Sequence, residues 1–241
     1  MALPRAYVAD GSVNPCCIEG ANRPYVSAII LEIFIYRQSL LTLSMTGTER
    51  ESHGYTPMDY DVDSANDEVY QRCLSYLLTN APIERDDTVV DLGTGTGIVA
   101  LELASKCDHV VGRDIYDEWL QHAREKAEQR GIENVSFDHG SFRDPNVDEP
   151  VDVVVASYAL YMAYDEGGED ELRAAIDGLA ALNPRCVVVA DKMRFGPVQS
   201  PSDYQTLPPM GTVADLLVDS GFTLTDVEII SETVGVLIAT R

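Results

Sequence analysis

The chain has 241 residues, and its 40 acidic and 17 basic residues give it a formal net charge of −23 at pH 7. This length suits one α/β domain with a short extension and is sufficient to bury a substantial core. The sequence shows no cluster of basic residues that could neutralise phosphates, so we expect no nucleic-acid partner.

The basic residues are also unusual in type. Only Lys106, Lys126 and Lys192 are lysines, and all the others are arginines. An acid-rich, lysine-poor composition is typical of a protein from an extreme halophile, because near-molar salt screens charges beyond about 3 Å. We therefore predict a halophilic archaeal origin. The alternative is an acidic protein of ordinary salt tolerance.

The cysteines and histidines do not have the spacing of a metal site. The chain has an odd number of cysteines and no C-x-x-C spacing among them: Cys16, Cys17, Cys73, Cys107 and Cys186. The four histidines are not spaced as metal ligands either. We therefore predict no bound metal and a reducing, cytoplasmic location. Two of the cysteines, Cys73 and Cys186, lie in apolar runs and are expected to be small core residues.

Residues 1–45 differ in charge from the rest of the chain. They contain three acids and three bases, so the whole net charge lies in residues 46–241. An apolar stretch within them is interrupted by Glu32 and Arg37, which leaves runs too short to cross a bilayer, and no secretory cleavage site follows. We expect an N-terminal extension of a domain at 46–241. It is either a helix that packs on the domain or on a second copy in a homodimer, or a translation artefact with Met45 as the true start, which the charge break favours.

From residue 64 onward, helices and strands alternate. Asp63 and Ser64 predict the cap of a helix that continues to about Thr79. The predicted strands span 88–92, 109–112, 135–137, 151–156, 186–190, 223–230 and 233–240. The predicted later helices span 98–106, 117–130, 169–182 and 213–220. This order indicates a doubly wound α/β fold with a mostly parallel seven-stranded sheet, whose two C-terminal strands form an antiparallel pair across a tight turn.

The most informative stretch is the glycine-rich loop between the first strand and the next helix. The sequence V-V-D-L-G-T-G-T-G-I over residues 89–98 places three glycines at alternate positions, where the backbone can approach a ligand. Dinucleotide-binding loops have the form G-x-G-x-x-G, and their third glycine would fall at Ile98. The next strand ends in Asp114, where a carboxylate can accept both hydroxyls of a ribose.

This loop, the preceding Asp91 and the later Asp114 resemble the first two motifs of class I S-adenosylmethionine-dependent methyltransferases. The resemblance covers roughly residues 58–241. It implies a Rossmann-like fold and S-adenosylmethionine as the cofactor. The cofactor-binding residues that it implies are Tyr60, Asp91, Gly93, Thr94, Gly95, Gly97, Asp114, Ile115, Ser141, Phe142, Ser157 and Tyr158.

The resemblance assigns roles to most of these residues. The glycines pass the backbone beneath the methionine moiety and the adenosine, Asp91 helps to hold the amino-acid end, and Asp114 binds the ribose. Ser141 and Phe142 flank the adenine. The family usually has an aspartate where this chain has Ser141, and a hydroxyl accepts a hydrogen bond more weakly than a carboxylate does.

The end of the fourth strand also resembles the family. The sequence A-S-Y-A-L-Y-M over residues 156–162 is similar to the S-x-A-L-H-H stretch of small-molecule methyltransferases, with Tyr-Met in place of the two histidines. Ser157 and Tyr158 are therefore expected near the sulfonium or the acceptor. Tyr60, which precedes the first predicted helix, resembles the aromatic residue that closes over the cofactor.

These features lead us to expect methyl transfer to a small-molecule acceptor, with no membrane partner. The donor is already activated, so the chemistry requires alignment and exclusion of water rather than a particular catalytic residue. The fourth strand does not end in N/D-P-P-Y, which argues against enzymes that methylate amino groups of nucleic-acid bases. Two alternatives remain. A nicotinamide-dependent oxidoreductase is disfavoured by Ile98 and the antiparallel strand pair, and an idle cofactor-binding protein is suggested by Ser141.

Overall fold

A computed structural model describes residues 55–196 and 207–241, and the predictions made for residues 1–45 lie outside these ranges. The strands within them are β1 (Thr88–Leu92), β2 (His109–Asp114), β3 (Val135–His139), β4 (Val153–Ser157), β5 (Cys186–Lys192), β6 (Thr223–Ile229) and β7 (Val234–Thr240). The helices are α1 (Pro57–Asn66), α2 (Glu68–Asn80), α3 (Ile98–Leu103), α4 (Asp117–Arg130), α5 (Leu160–Ala181) and α6 (Met210–Asp219). None of these helices is long and apolar enough to cross a membrane.

The seven strands form one sheet in the order β3-β2-β1-β4-β5-β7-β6. Strands β1 to β5 are parallel to one another, whereas β7 runs antiparallel to both β5 and β6. This topology confirms the predicted mostly parallel sheet with an antiparallel C-terminal pair. The chain moves outward in one direction from β1 to β3 and in the other from β4 to β5. Strands β1 and β4 therefore border a switch point, where open α/β sheets bind their ligands.

Alternate side chains of the central strands enter two separate cores. Val89 packs on one face of the sheet with buried residues of α2, α3 and α4. Val90 packs on the other face with buried residues of α5 and α6. Both valines are fully buried, as the two-residue period of a strand requires when helices cover both faces. Cys73 and Cys186 are buried in the first core, which confirms their predicted packing role.

The N-terminal helical region differs from the prediction of one helix capped by Asp63 and Ser64. Two helices, α1 and α2, meet there at Asp67. The Asp67 carboxylate accepts hydrogen bonds from the backbone N–H groups of Val69 (2.8 Å) and Tyr70 (3.1 Å), so Asp67 is the cap of α2. The predicted cap was wrong because Asp63 and Ser64 lie inside the preceding helix.

Helix α1 is hard to predict from apolar spacing, because its buried residues are Pro57, Asp61 and Ser64. Its start nevertheless has a local signal. Thr56 and Asp59 form a capping box, in which each side chain accepts a hydrogen bond from the other residue's backbone N–H. Pro57 takes the first helical position, where no backbone N–H is needed.

Helix α5 begins well before the predicted position 169. Gly167 and Gly168 interrupt it with non-helical backbone angles, so the continuous apolar pattern starts only after them. The N-terminal part is capped from a distant strand. The Asp191 carboxylate accepts hydrogen bonds from the N–H groups of Ala159 (3.0 Å) and Leu160 (2.7 Å). A cap that comes from another strand leaves no local signal in the sequence.

Candidate cofactor and acceptor site

A cleft of about 570 Å³ opens at the carboxyl ends of β1, β2, β4 and β5. Its volume is in the range of small-molecule sites. The predicted cofactor residues that line it are Tyr60, Asp91, Gly93, Thr94, Gly95, Asp114, Ile115, Ser141, Phe142, Ser157 and Tyr158. The structure thus brings together residues from five separate stretches of the chain, and only Gly97 of the predicted set does not line the cleft.

The loop after β1 has a shape that glycine adopts without strain. Gly93, Gly95 and Gly97 have φ angles of 75°, 54° and 76°, in the left-handed region that L-residues with a Cβ disfavour. The carbonyl of Arg113 accepts hydrogen bonds from the N–H groups of Gly93 (2.8 Å) and Thr94 (3.0 Å). These bonds fix the start of the loop against β2.

Gly97 has a packing role instead of a place in the cleft. A Cβ added there would come within 2.9 Å of both the Ala123 Cβ and the Phe137 ring. Gly97 therefore allows the start of α3 to approach α4 and β3 closely. The glycine spacing predicted that Gly97 lines the cleft, whereas in the structure the need for this close packing explains the glycine.

Asp91 in β1 provides an unsatisfied acceptor on the wall of the cleft. Its side chain is buried, and one oxygen accepts a hydrogen bond from the Thr94 hydroxyl (2.7 Å). The other oxygen, Oδ1, has no hydrogen-bond partner among the described residues. Burial raises the pKa of Asp91 to about 7, against the opposing effect of the Thr94 hydrogen bond. A buried carboxylate beside the cleft attracts a positive charge, so the site suits a ligand that carries an ammonium group.

Asp114 ends β2 beside the glycine loop. Its Oδ2 accepts a hydrogen bond from the N–H of Gly95 (2.8 Å), and its Oδ1 accepts one from the N–H of Tyr116 (3.1 Å). These two bonds hold the carboxylate in place at the cleft. Each carboxylate oxygen can accept a further hydrogen bond, so the predicted interaction with ribose hydroxyls is compatible with the contacts.

The chain after β3 forms a tight turn at the cleft. The Ser141 hydroxyl accepts a hydrogen bond from the N–H of Asp144 (3.1 Å), and the Ser141 N–H donates to the Asp144 carbonyl (2.8 Å). Phe142 follows on the lining, and Ile115 contributes a side chain that is 49% exposed. This part of the cleft therefore offers apolar surface and a hydroxyl that already has one donor.

The ends of β4 and β5 meet at Tyr158. This residue has a φ of 52°, which is uncommon for a large side chain and is often found at functional sites. Its N–H donates to the Ala190 carbonyl (3.0 Å). Its hydroxyl oxygen is buried and has no hydrogen-bond partner among the described residues. Burial raises the pKa of Tyr158 far above its ordinary value, so the phenol is protonated and can donate.

Aromatic rings form a continuous wall from α4 to β4. The Tyr60 ring lies 5.2 Å from Trp119 and 6.4 Å from Tyr70 between centroids, both in edge-to-face geometry. The Tyr70 ring lies 4.9 Å from that of Tyr158. All four residues line the cleft. Edge-to-face and tilted ring pairs contribute beyond their buried area, so the wall is a rigid apolar surface.

Helix α1 is fastened over the cleft by a buried polar cluster around Asp61, the neighbour of Tyr60. The Asp61 carboxylate contacts Lys126 (2.7 Å) and His122 (2.9 Å) on α4 and accepts a hydrogen bond from the Thr96 hydroxyl (2.6 Å). Burial alone would raise the pKa of Asp61, but His122 and Lys126 outweigh it and lower that pKa. The cluster therefore links α1 both to α4 and to the glycine loop.

The cleft residues that sequence reasoning missed include Tyr70, Trp119 and Lys192. Trp119 is the single tryptophan of the chain and lies five positions after Asp114. Lys192 is the last residue of β5, at the same sheet edge as Asp114 and Ser157. Examining the carboxyl end of every parallel strand would have found Lys192, because these ends meet along one edge.

Comparisons with known proteins agree with this fold. Residues 83–181 match the model of a family described as a methyltransferase domain. Release factor glutamine methyltransferase from Aliivibrio fischeri is 30% identical over 125 residues, which cover 51% of this chain and 40% of that protein. A 23S rRNA (uracil(1939)-C(5))-methyltransferase from Aliivibrio salmonicida is 34% identical over 100 residues, which cover 41% of this chain and 21% of that protein. The chain thus spans less than half the length of these curated relatives.

Among solved structures, magnesium protoporphyrin IX methyltransferase from Synechocystis PCC 6803 with bound S-adenosylhomocysteine has the same fold. It is 17% identical, with a TM-score of 0.59, over 89% of this chain and 99% of that chain. The strand order and the glycine loop give this chain the fold of S-adenosylmethionine-dependent methyltransferases. The match of residues 83–181 to a methyltransferase domain supports S-adenosylmethionine as the cofactor. The antiparallel β7 between β5 and β6 also differs from the 3-2-1-4-5-6 strand order of nicotinamide-binding folds.

Proposed function

We propose that this chain transfers the methyl group of S-adenosylmethionine to a small-molecule acceptor in the cleft at the carboxyl ends of β1, β2, β4 and β5. The observation that carries the proposal is a cleft of about 570 Å³ that is lined by Gly93 and Gly95 of the glycine loop and by the carboxylates of Asp91 and Asp114. The buried Asp91 carboxylate attracts a positive charge, and the amino-acid end of S-adenosylmethionine carries an ammonium group.

The residues present fit the cofactor along the whole cleft. Gly93 and Gly95 line the cleft, and the absence of a side chain at Gly93 lets the loop pack directly against Ala159. Asp91 would accept a hydrogen bond from the amino-acid end, and Asp114 would accept hydrogen bonds from the ribose. Phe142 would contact the adenine. When bound, the cofactor supplies an activated methyl group on a sulfonium.

The protein's own contribution is to align the acceptor and to exclude water. Tyr60 on α1 covers the cleft and is held there through its neighbour Asp61. The rigid rings of Tyr70, Trp119 and Tyr158 limit the positions that an acceptor can take. Alignment of this kind removes much of the entropic barrier of a bimolecular transfer. A general base is required only if the acceptor arrives protonated.

The charges of the cleft favour a small molecule over a nucleic acid. The acidic lining residues are Asp91, Asp114, Glu166 and Glu171, and the basic ones are Arg143 and Lys192. One of the two bases, Arg143, is already paired with Glu171 at 2.7 Å. A polyanionic strand needs several cations to replace its counterions, and this lining does not supply them. The rRNA methyltransferase named above shares only about a fifth of its length with this chain.

Binding and turnover test the proposal in two steps. Calorimetry should detect binding of S-adenosylhomocysteine but not of NAD. The variant Asp114→Ala should weaken that binding about 10- to 100-fold, the equivalent of about 1–3 kcal/mol for a lost buried hydrogen-bonding group. Asp117→Ala is the matched control, because Asp117 is exposed and does not line the cleft.

Turnover is measured as S-adenosylhomocysteine release with metabolite fractions and, separately, with ribosomal RNA. Release with metabolites alone supports the small-molecule acceptor. Release with RNA alone contradicts it. Cofactor binding without release in any fraction would favour an idle cofactor-binding protein.

A further inference from the structure

Lys192 places a positive charge at the acceptor end of the cleft. It is the last residue of β5, it is half-buried, and its side chain lines the cleft. The ammonium lies 4.9 Å from the ring centroid of Tyr161 and 5.9 Å from that of Tyr158. Both distances allow a cation–π interaction. These rings hold the ammonium over the cleft and leave its N–H groups available to a ligand.

Lys192 differs from Arg143 in the cleft and from Lys126 beneath α1 in having no acidic partner within ion-pair distance among the described residues. Lys126 contacts Asp61 at 2.7 Å, and Arg143 contacts Glu171 at 2.7 Å. The two oxygens of the preceding residue, Asp191, accept backbone N–H groups, and Asp191 forms no ion pair with the Lys192 ammonium. An unpaired cation in a cleft of a chain with net charge −23 is therefore an exception that requires a reason.

The position of Lys192 separates it from the cofactor half of the site. Asp91 and the glycine loop belong to β1, and Lys192 ends β5, with β4 between these two strands. Neighbouring strands lie about 4.8 Å apart, so β1 and β5 are about 10 Å apart at this edge. The Lys192 ammonium instead contacts the rings of Tyr158 and Tyr161, which form the wall on that side.

We propose that Lys192 binds a carboxylate of the methyl acceptor, and that the acceptor is a small aromatic acid; this inference rests on the proposed function. The Tyr158 ring belongs to the same wall, where it packs on Tyr70 at 4.9 Å between centroids. The aromatic wall is suited to contact with a planar aromatic ring of the acceptor. One available cation matches one negative charge, because Arg143 is already paired, so a carboxylate suits the site better than a phosphate dianion.

The test compares acids with their neutral amides on the full chain saturated with S-adenosylhomocysteine. The probes are cinnamate, cinnamamide, benzoate, benzamide and benzyl phosphate, titrated by calorimetry at the lowest salt concentration at which the chain stays folded. For at least one pair the acid should bind at least tenfold more tightly than its amide. Lys192→Met should remove this preference, and Lys192→Arg should retain most of it. Lys106→Met is the matched control, because Lys106 is exposed and lies outside the lining.

The dissociation constant for S-adenosylhomocysteine should be the same in the wild type and in Lys192→Met. A loss of cofactor affinity with an unchanged acid preference would overturn the proposal, since Lys192 would then serve the cofactor. It is also overturned if neither acid binds, if Lys192→Met keeps the preference, or if benzyl phosphate binds more tightly than both acids. Failure of the wild type to bind S-adenosylhomocysteine would instead refute the proposed function itself.

Discussion

The binding of S-adenosylhomocysteine should depend on pH through Asp91. Burial raises the pKa of this carboxyl to about 7, so the free protein holds a proton there at mildly acidic pH. A cofactor ammonium is attracted to the ionised carboxylate and not to the protonated acid. Affinity should therefore fall as the pH decreases through 7, and binding at pH 6 should release a proton.

The size of the effect follows from the pKa. A group that titrates near 7 is about one-tenth ionised at pH 6 and about nine-tenths ionised at pH 8. The dissociation constant should therefore rise about tenfold between pH 8 and pH 6, the equivalent of about 1.4 kcal/mol. Asp91→Asn should bind more weakly at pH 8 and should lose the pH dependence, because an amide cannot titrate.

Asp191 offers a control of matched burial and pKa. Burial also raises the pKa of Asp191 to about 7, but its oxygens are occupied by the N–H groups of Ala159, Leu160 and Lys192. Both acids bind more protons in the folded than in the unfolded state between about pH 4 and 7, so each lowers the free energy of unfolding as pH rises through that window. Asp191→Asn should flatten that stability profile but keep the pH dependence of binding. Calorimetry in buffers of different ionisation enthalpy measures the proton release. A pH dependence that persists in Asp91→Asn would refute the reasoning.

Three further predictions concern stability, measured by urea unfolding or by melting. Asp61→Ala leaves Lys126 buried without its partner and should cost about 3–5 kcal/mol, and replacing both residues by Leu and Met should recover much of that loss. Gly93→Ala should cost more than Gly131→Ala, because both have positive φ but only the first would also overlap a neighbouring side chain; equal losses would contradict this. The melting temperature should rise from dilute buffer to molar KCl, because salt screens the net charge of −23, and a flat or falling profile would remove the halophile interpretation.

Much of the sheet could be predicted because its signals are local. Short apolar runs between turn residues gave the seven strands, and the spacing after β1 gave the glycine loop with Asp91 and Asp114. Each of these signals lies within a few residues of the feature that it predicts. Gly97 shows the limit even here, because spacing alone does not distinguish a glycine that faces a ligand from one that faces Phe137.

Helix α1 and the first part of α5, which lie beside the cleft, could not be predicted in the same way, because residues distant in the sequence stabilise them. Helix α1 is held by the contact of Asp61 with Lys126, which is 65 positions later in the chain. The first part of α5 is capped by Asp191, 31 positions after Leu160. The spacing of apolar residues cannot predict either contact, since the stabilising groups are polar. The prediction of one N-terminal helix and a late start of α5 failed for this reason.

The difference between local and distant signals also separates the proposed cofactor-binding residues from the proposed acceptor-binding residues. In the proposed site, β1 and β2 with their loops would bind the cofactor, through residues that belong to a short motif recognisable in the sequence. The acceptor would lie at the ends of β4 and β5, where single residues such as Tyr158 and Lys192 have no recognisable motif around them. A fold of this class can therefore keep its cofactor while its acceptor changes with a few side chains. For this chain the informative group is Lys192, because a lone cation on an aromatic wall restricts the acceptor more than the glycine loop does.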